Sequence, residues 1–531
     1  MSIAADRKRL ADKGRRLAGG SRPAGPGGTR PRGAGRLGIV ARDSIAGVSV
    51  AFVLVPQSLA YAQLAGLPPE RGLYAAALAP IVAAFAASSP YLQTGPTAIT
   101  SLLVLGVLST LAPIGGPEYI ALAALLAVLV GVWRLLLGLI GGGSLAYLMS
   151  QPVLLGFTAA ATVLIIASQL PAVLGAVSSA GNPLASGWDV VREPGSWHPG
   201  AVAFALAAAL VILLSKRVSA LLPGVLIAVV GAIAVSVVTG YAGPTVGRLP
   251  TALPVPSLDL PWAQLPALLV PALVIALIGF AEPAAIARQY AAADRHNWDP
   301  NREMLSQGLA NVAAGLGGGY AVGGSFSRTA LNRLAGARTR ASGALTGVVV
   351  LALLPVAGLL ARLPVAVLGA AVITAVLPLL AVGTARELWT YSRPQAIIAA
   401  ATFVLSVVLA PRIDHAVLIG IGLAVAVHLW RELHVQVPSW TEGEVLHLRP
   451  SGVLYFASTP PIEEMLTHSL VAHPDATGLV LHCDGLGRID LTGALALRAV
   501  LKDAQAAGLS VELADVAPQA MRIVSRVLPD L

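Results

Sequence analysis

From Ser44 onward the chain is a succession of apolar runs separated by short polar or Pro/Gly-rich breaks. A helix needs about 20 mainly apolar residues to cross the hydrocarbon of a bilayer. The runs predict spanning helices over 44–64, 72–88, 96–112, 118–140, 151–175, 199–215 and 220–240. After a Pro-rich break from Arg248 to Trp262 they predict 264–287, 304–320, 325–336, 341–361, 364–382, 394–410 and 414–431. The break divides the fourteen into seven and seven. An odd number in the first set makes the second set enter from the opposite side, which is the arrangement of an inverted-topology repeat. An even total returns the C-terminal tail to the side of the N-terminus.

The tail, from about Thr441, has a different texture. Glu444–Ser458 alternates as a strand pair does, Ile462–Val471 has the pattern of a short amphipathic helix, and Gly478–Cys483 reads as a buried strand. Leu491–Ala507 has helical periodicity and Leu509–Leu513 is a further strand. Strands alternating with helices predict a small α/β domain over 441–531.

Composition sharpens the membrane reading. Of 531 residues, 56% are hydrophobic and 11% charged, and the mean hydropathy is +0.78. Soluble domains carry roughly 25% charged residues. The 55 glycines and 38 prolines suit the close packing and broken helices of membrane bundles. The single cysteine, Cys483, excludes an internal disulfide framework. Net charge is uneven: +8 over residues 1–43, +7 over 44–431 and −6 over 432–531. The first segment, rich in Arg, Gly and Pro and without an apolar face, reads as a disordered basic arm. It lacks an apolar stretch leading to a small-residue cleavage site, so it is not read as a signal peptide. As a topology signal it holds the N-terminus in the cytoplasm. Binding of anionic lipid or nucleic acid is the rival reading, and a basic flank before a first span is ordinary.

Eleven carboxylates lie in 44–431, and ten fall at predicted span ends or in connections. The exception is Glu282, inside LVIALIGFAEPAAIARQYA. A carboxylate in a membrane helix survives beside a cavity, a partner or a proton, so Glu282 is a candidate for coupling a cation or proton. A structural ion pair with another helix is the alternative. Residues 318–340 (GGYAVGGSFSRTALNRLAGARTR) set glycines before an abrupt polar helix start. A half-helix beginning at Ser327 and Thr329 presents backbone N–H groups and a positive dipole end to an anion, and Arg328 adds a full charge. An ordinary loop followed by basic residues is the bland alternative. In the first half, Tyr91–Ala98 starts a span at Gly95-Pro96, with Pro suited to a first turn. Two interrupted segments in corresponding places of two halves point to a transporter's site. Gln57 and Tyr61, four apart, share one face of the first span, either lining that site or joining helices. No metal-ligand spacing, cofactor motif or P-loop is present in the sequence, and no enzymatic constellation is read.

At these residues the chain resembles the sulfate permease (SulP) family of anion transporters. The resemblance runs from about Asp43 to the C-terminus and rests on residues 43–77, 95–103, the Glu282 span and 323–340. It implies a core domain moving against a gate domain, with an anion held between the starts of the third and tenth spans. Gln57, Tyr61, Thr97, Ala98, Ser327 and Arg328 are the implied substrate-binding residues, and Glu282 the implied coupling residue. The tail resembles a STAS domain. There Thr492, in IDLTG, occupies the hydroxyl position, either as an N-terminal helix cap or as a regulatory phosphate acceptor.

The expectation is a polytopic α-helical membrane transporter, not an enzyme, with no cofactor. It performs proton-coupled uptake of a small oxyanion, sulfate first, across the inner (plasma) membrane, with both termini cytoplasmic. Sodium-coupled bicarbonate or C4-dicarboxylate transport, anion exchange, a passive anion channel and a membrane-anchored signalling module are the rivals. The nucleobase permease group, of similar architecture, is disfavoured by SFSRTALN and the STAS-like tail. Expected partners are the anion, a coupling proton or sodium ion, the lipid membrane, a second copy in a homodimer and a cytosolic protein on the tail. Nucleic acid is not expected.

Overall fold

The computed structural model describes residues 36–528 apart from 149, 179–181, 220–221, 251, 434–436, 455–458 and 517. Residues 1–35, most of the expected basic arm, lie outside the described residues. The first half comprises α1 (Arg36–Leu64), α2 (Pro69–Ala86), β1 (Thr94–Gly95), α3 (Ala98–Leu108), α4 (Pro117–Leu139), α5 (Gln151–Leu174), α6 (Pro183–Arg192), α7 (Pro199–Val218) and α8 (Gly224–Thr239). The second comprises α9 (Leu265–Asp294), α10 (Pro300–Leu316), β2 (Gly323–Gly324), α11 (Phe326–Leu334), α12 (Ala341–Leu353), α13 (Val365–Val376), α14 (Val382–Tyr391), α15 (Arg393–Val408) and α16 (Ile413–Leu433).

A helix coincides with each of the predicted runs. Among the described residues, eight helical segments are long and apolar enough to cross a membrane, and α3, α8 and α15 are shorter apolar helices. Leu206, Leu210, Leu213 and Val238 stand exposed on α7 and α8, as lipid-facing side chains do. Proline opens the first turn of α2, α4, α5, α7 and α10, where its missing N–H is not needed.

Two differences from the sequence reading are informative. Helix α1 begins at Arg36, inside the segment taken as a disordered arm. Asp43 explains the ordered turn: its buried carboxylate accepts from Arg338 N (2.7 Å), Thr339 N (3.1 Å) and Thr339 Oγ1 (2.5 Å), tying α1 to the approach to α12. The unexpected helices α6 and α14 are ten residues each and carry charges (Asp189 and Arg192, Arg386 and Glu387) that break any apolar run. Each stands just before corresponding helices, α7 and α15.

The two halves exchange partners. Helix α10 packs chiefly on α4 and α2, while its counterpart α2 packs on α12. Helix α9 packs on α4, and its counterpart α1 on α12. These six helices with α3 and α11 form one bundle. A second group joins α5 to α13 and α15, α7 to α13 and α8, and α15 to α16. Small residues allow the tightest approach: a Cβ at Gly131 of α4 would lie 2.7 Å from the Gly308 carbonyl of α10, and one at Gly308 would lie 3.0 Å from the Gly131 carbonyl.

The tail forms β3 (Ser439–Glu442), β4 (Val445–Leu448), β5 (Gly452–Leu454), α17 (Thr459–Ala472), β6 (Gly478–His482), β7 (Leu486–Ile489), α18 (Leu491–Ala506), β8 (Ser510–Ala514) and α19 (Pro518–Val527). The order is β3-β4-β6-β8, with β4, β6 and β8 parallel and β3 antiparallel at the edge. The strand pair expected within Glu444–Ser458 does not form: β4 pairs with β3 and β6, while β5 pairs with β7. The hairpin lies one strand earlier because Gly443, at φ 64°, supplies the left-handed turn residue between β3 and β4. Leu446, Leu448, Leu479 and Leu481 bury one sheet face with Leu497 and Leu501 of α18 and Val524 of α19.

Candidate functional site

The site is built where the two short helices begin. Strands β1 and β2 pair antiparallel, Thr94 with Gly324 and Gly95 with Gly323. The pairing extends outward, since Ser325 N donates to Gln93 O (3.1 Å) and Gln93 N to Thr329 Oγ1 (3.1 Å). Because the paired chains run oppositely, α3 and α11 leave the crossing in opposite directions with their N-termini toward it. Free first-turn N–H groups and both positive dipole ends therefore converge.

Each start is fixed locally. Thr97 is the N-cap of α3, and its Oγ1 accepts from Thr100 N (3.3 Å) and pairs with Thr100 Oγ1 (2.8 Å). Ala98 is the first helical residue, two after Pro96 of the start expected at Gly95-Pro96. Ser325 is the N-cap of α11, which begins at Phe326 rather than at Ser327. Ser325 makes no side-chain cap; its hydroxyl lies 3.3 Å from that of Ser327 instead. Arg333 holds the far end of α11 to α9 through a paired contact with Asp294, at 2.6 and 3.2 Å.

Arg328 is the centre of the arrangement. Its side chain is buried, 1% exposed, and Nη1 donates to Gln57 Oε1 of α1 at 3.3 Å. Nε and Nη2 are buried without a partner. Nη2 lies 3.6 Å from the position a Cβ would take on Gly95, so the guanidinium sits beneath the crossing. Unpaired charged donors are costly to bury, and an anion is the species that satisfies them. Tyr61, one turn from Gln57, is in electrostatic reach of Arg328 and Glu282. Glu282, half-buried on α9, lies near the backbone N–H of Phe326 at the start of α11 and in electrostatic reach of Arg328.

The structure thus brings together Gln57, Tyr61, Glu282 and Arg328, with Thr97 and Ala98 at the facing helix start. Ser327 is exposed at the other start. Thr492 stands apart, in the tail. There Asp490, not Thr492, is the N-cap of α18, accepting from Gly493 N at 2.6 Å. Asp490 stands one residue before the helix, where its carboxylate reaches the N–H three residues on, whereas Thr492 lies inside the first turn with its side chain exposed.

Sequence reasoning missed three buried groups. Glu303, assigned to a span end, is 0% exposed and accepts from Ser89 N (2.7 Å), Ser88 N (3.1 Å) and Trp298 Nε1 (3.3 Å). Asn311 brackets Val322 just before β2, accepting from its N–H (2.9 Å) and donating to its carbonyl (3.1 Å). Arg134 of α4 is fully buried and donates to backbone carbonyls of α9 and to Val322 O. Its signal in the sequence is a cation inside an apolar run, of the same kind that singles out Glu282.

Comparison with known proteins identifies the family and the fold. Residues 40–402 match the model of the sulfate permease family, and residues 439–527 match the STAS domain. A probable sulfate transporter of Mycobacterium tuberculosis H37Rv is 36% identical over 402 residues, covering 74% of this chain and 70% of that protein. The sodium-independent sulfate anion transporter of Bos taurus is 29% identical over 524 residues, covering 91% and 85%. The fold is that of murine Solute Carrier 26 family member A9, an anion transporter, with a TM-score of 0.83 at 22% identity over 92% and 87% of the two chains. The transmembrane domain of a cyanobacterial bicarbonate transporter, BicA, aligns with a TM-score of 0.62 at 25% identity over 73% and 97%. The chain belongs to the sulfate permease family of multi-pass membrane transporters, and its tail is a STAS domain.

Proposed function

We propose that this protein carries small inorganic oxyanions, sulfate first, into the cell with a coupled proton. The α1–α4 and α9–α12 bundle moves against the α5–α8 and α13–α16 group to alternate access. The observation that carries this reading is Arg328: a buried guanidinium with two unpaired nitrogens beneath Gly95, at two converging helix N-termini. The names of the sulfate-transporting relatives favour the same class of cargo. The binding set is Gln57, Tyr61, Thr97, Ala98, Ser327 and Arg328.

Coupling follows from where Glu282 sits. Its carboxylate lies near the N–H of Phe326, at the helix start that an anion needs, and in electrostatic reach of Arg328. Ionised Glu282 and an incoming anion repel and compete for that start; a protonated Glu282 does neither. Proton and anion therefore bind cooperatively, as symport requires. Inward movement of a dianion against the membrane potential costs about 4.6 kcal/mol per 100 mV, and a co-transported proton reduces that charge. The basic arm favours cytoplasmic termini in the inner (plasma) membrane, a homodimer is the assembly the family resemblance implies, and the STAS tail is the surface for a cytosolic partner.

Labelled-sulfate uptake into proteoliposomes, with competing bicarbonate and fumarate at two pH values, tests the reading. Uptake rises with an inward proton gradient, unlabelled sulfate competes and the other two anions do not. Acceleration by sodium with competition by bicarbonate would instead identify sodium-coupled bicarbonate transport. Unchanged pH dependence in Glu282→Gln would remove Glu282 from the coupling step.

A further inference from the structure

Arg134 lies outside the binding set, yet it is the second large cation buried in the bundle. It is 0% exposed, and Nε donates to Ala276 O (3.1 Å), Nη1 to Val322 O (3.0 Å) and Nη2 to Ile275 O (3.5 Å). Among the described residues no carboxylate lies within salt-bridge distance of it. A buried cation without a counter-ion is expensive in a membrane helix.

Backbone satisfaction does not account for it. Ile275 and Ala276 lie inside α9, where Gly279 and Phe280, four residues on, supply helical donors. Val322 O already receives Asn311 Nδ2 at 3.1 Å. The carbonyls that Arg134 touches would keep a donor without it.

Its position relative to the crossing gives the charge a use. A Cβ on Gly279 would stand 2.6 Å from Arg134 Nη2 and 3.4 Å from Thr100 Cγ2. A Cβ on Gly323 would stand 3.4 Å from the same Thr100 methyl and 3.6 Å from Thr97 Oγ1. One glycine thus separates the guanidinium from the capped start of α3. Nη1 meanwhile holds the residue that leads directly into β2.

We propose that Arg134 is a positioning residue and the second fixed positive charge of the anion site, biasing it toward divalent over monovalent anions. A fixed charge behind the site attracts a dianion twice as strongly as a monoanion, without touching either. The inference rests on Arg328 marking the anion site.

The test uses the full chain in proteoliposomes at pH 7.5, where sulfate is divalent. The concentrations of unlabelled sulfate and of nitrate that halve labelled-sulfate uptake are compared for wild type, Arg134→Gln and Arg134→Lys. In Arg134→Gln the sulfate-to-nitrate preference falls on the order of tenfold. Arg134→Lys keeps the charge but loses the fork, so its preference stays within about twofold of wild type even if overall uptake drops. Equal weakening of both anions by Arg134→Gln, or no change, overturns the inference. So does collapse of the preference in Arg134→Lys. If Arg134→Gln fails to fold, Arg134→Lys decides, and failure of both marks the fork as structural and overturns the electrostatic role. Intact saturable uptake in Arg328→Ala is a separate outcome that removes the reading beneath it.

Discussion

The Arg328 guanidinium lies under Gly95: Nη2 would be 3.6 Å from a Cβ at position 95, the distance of an ordinary contact. The two residues come from opposite halves of the chain, and their meeting is fixed by the β1–β2 pairing. Gly95→Ala is therefore tolerated by the fold while its methyl takes space beside the unpaired nitrogens. The expected result is a KM for sulfate raised about tenfold, near 1.4 kcal/mol, with thermal stability in detergent close to wild type. A wild-type KM would mean that the anion sits elsewhere.

Gly308 tests the packing rather than the site. A Cβ there would lie 2.9 Å from Leu135 Cγ and 3.0 Å from both Gly131 O and Leu135 N. Two backbones cannot yield as a flexible side-chain end can, so Gly308→Ala forces α4 and α10 apart. Overpacking of this kind costs about 1–3 kcal/mol. It should lower the unfolding temperature of the purified protein by several degrees, whereas Gly422→Ala, with open space at its Cβ, should not.

Cys483 is buried in the STAS core, and burial, with Asp484 and Asp515 nearby, pushes its thiol up to about 11. At pH 8 the thiolate fraction is then roughly 0.1%, against about a quarter for a free cysteine near 8.5. A maleimide should leave the native protein unlabelled and label it once denatured. Rapid native labelling at pH 8 would contradict the buried placement.

Arg449 donates to both carboxylate oxygens of Asp484, with Nε at 2.9 Å from Oδ1, between the ends of β4 and β6. The guanidinium holds the Asp484 carboxyl below the usual carboxylate range. A depressed folded-state value stabilises above the ordinary aspartate pKa of about 3.9 and loses that contribution as pH falls through the lower value. Arg449→Ala should thus weaken the β4–β6 pairing at neutral pH, and only slightly, since the pair is exposed and screened. The difference from wild type, read by hydrogen exchange of Leu446–Leu448, should be present at neutral pH and vanish below about pH 4, where the wild type loses the same contribution. High salt should shrink the difference.

Much of this fold was legible because lipid imposes long apolar runs. The run at 151–175 and the helix Gln151–Leu174 differ by one residue. The anion site was legible because it breaks the same pattern: glycines, a polar helix start and Arg328 interrupt an apolar bundle. What sequence could not reach depends on contacts distant in the chain. Asp43 orders a turn only because the N–H groups of Arg338 and Thr339 come to it. Glu303 looks like a surface carboxylate at a helix start until Ser88, Ser89 and Trp298 close over it. Thr492 and Asp490 compete for one cap, and two residues' difference in register decides between them.

The central claim is that the unpaired nitrogens of Arg328 receive the anion. Isothermal titration of sulfate onto the purified protein at acidic pH, for wild type and Arg328→Ala, tests it most directly. Saturable binding in the wild type and a loss of at least a hundredfold, about 2.7 kcal/mol, in Arg328→Ala is the predicted result. Wild-type affinity in a folded Arg328→Ala protein would contradict the account.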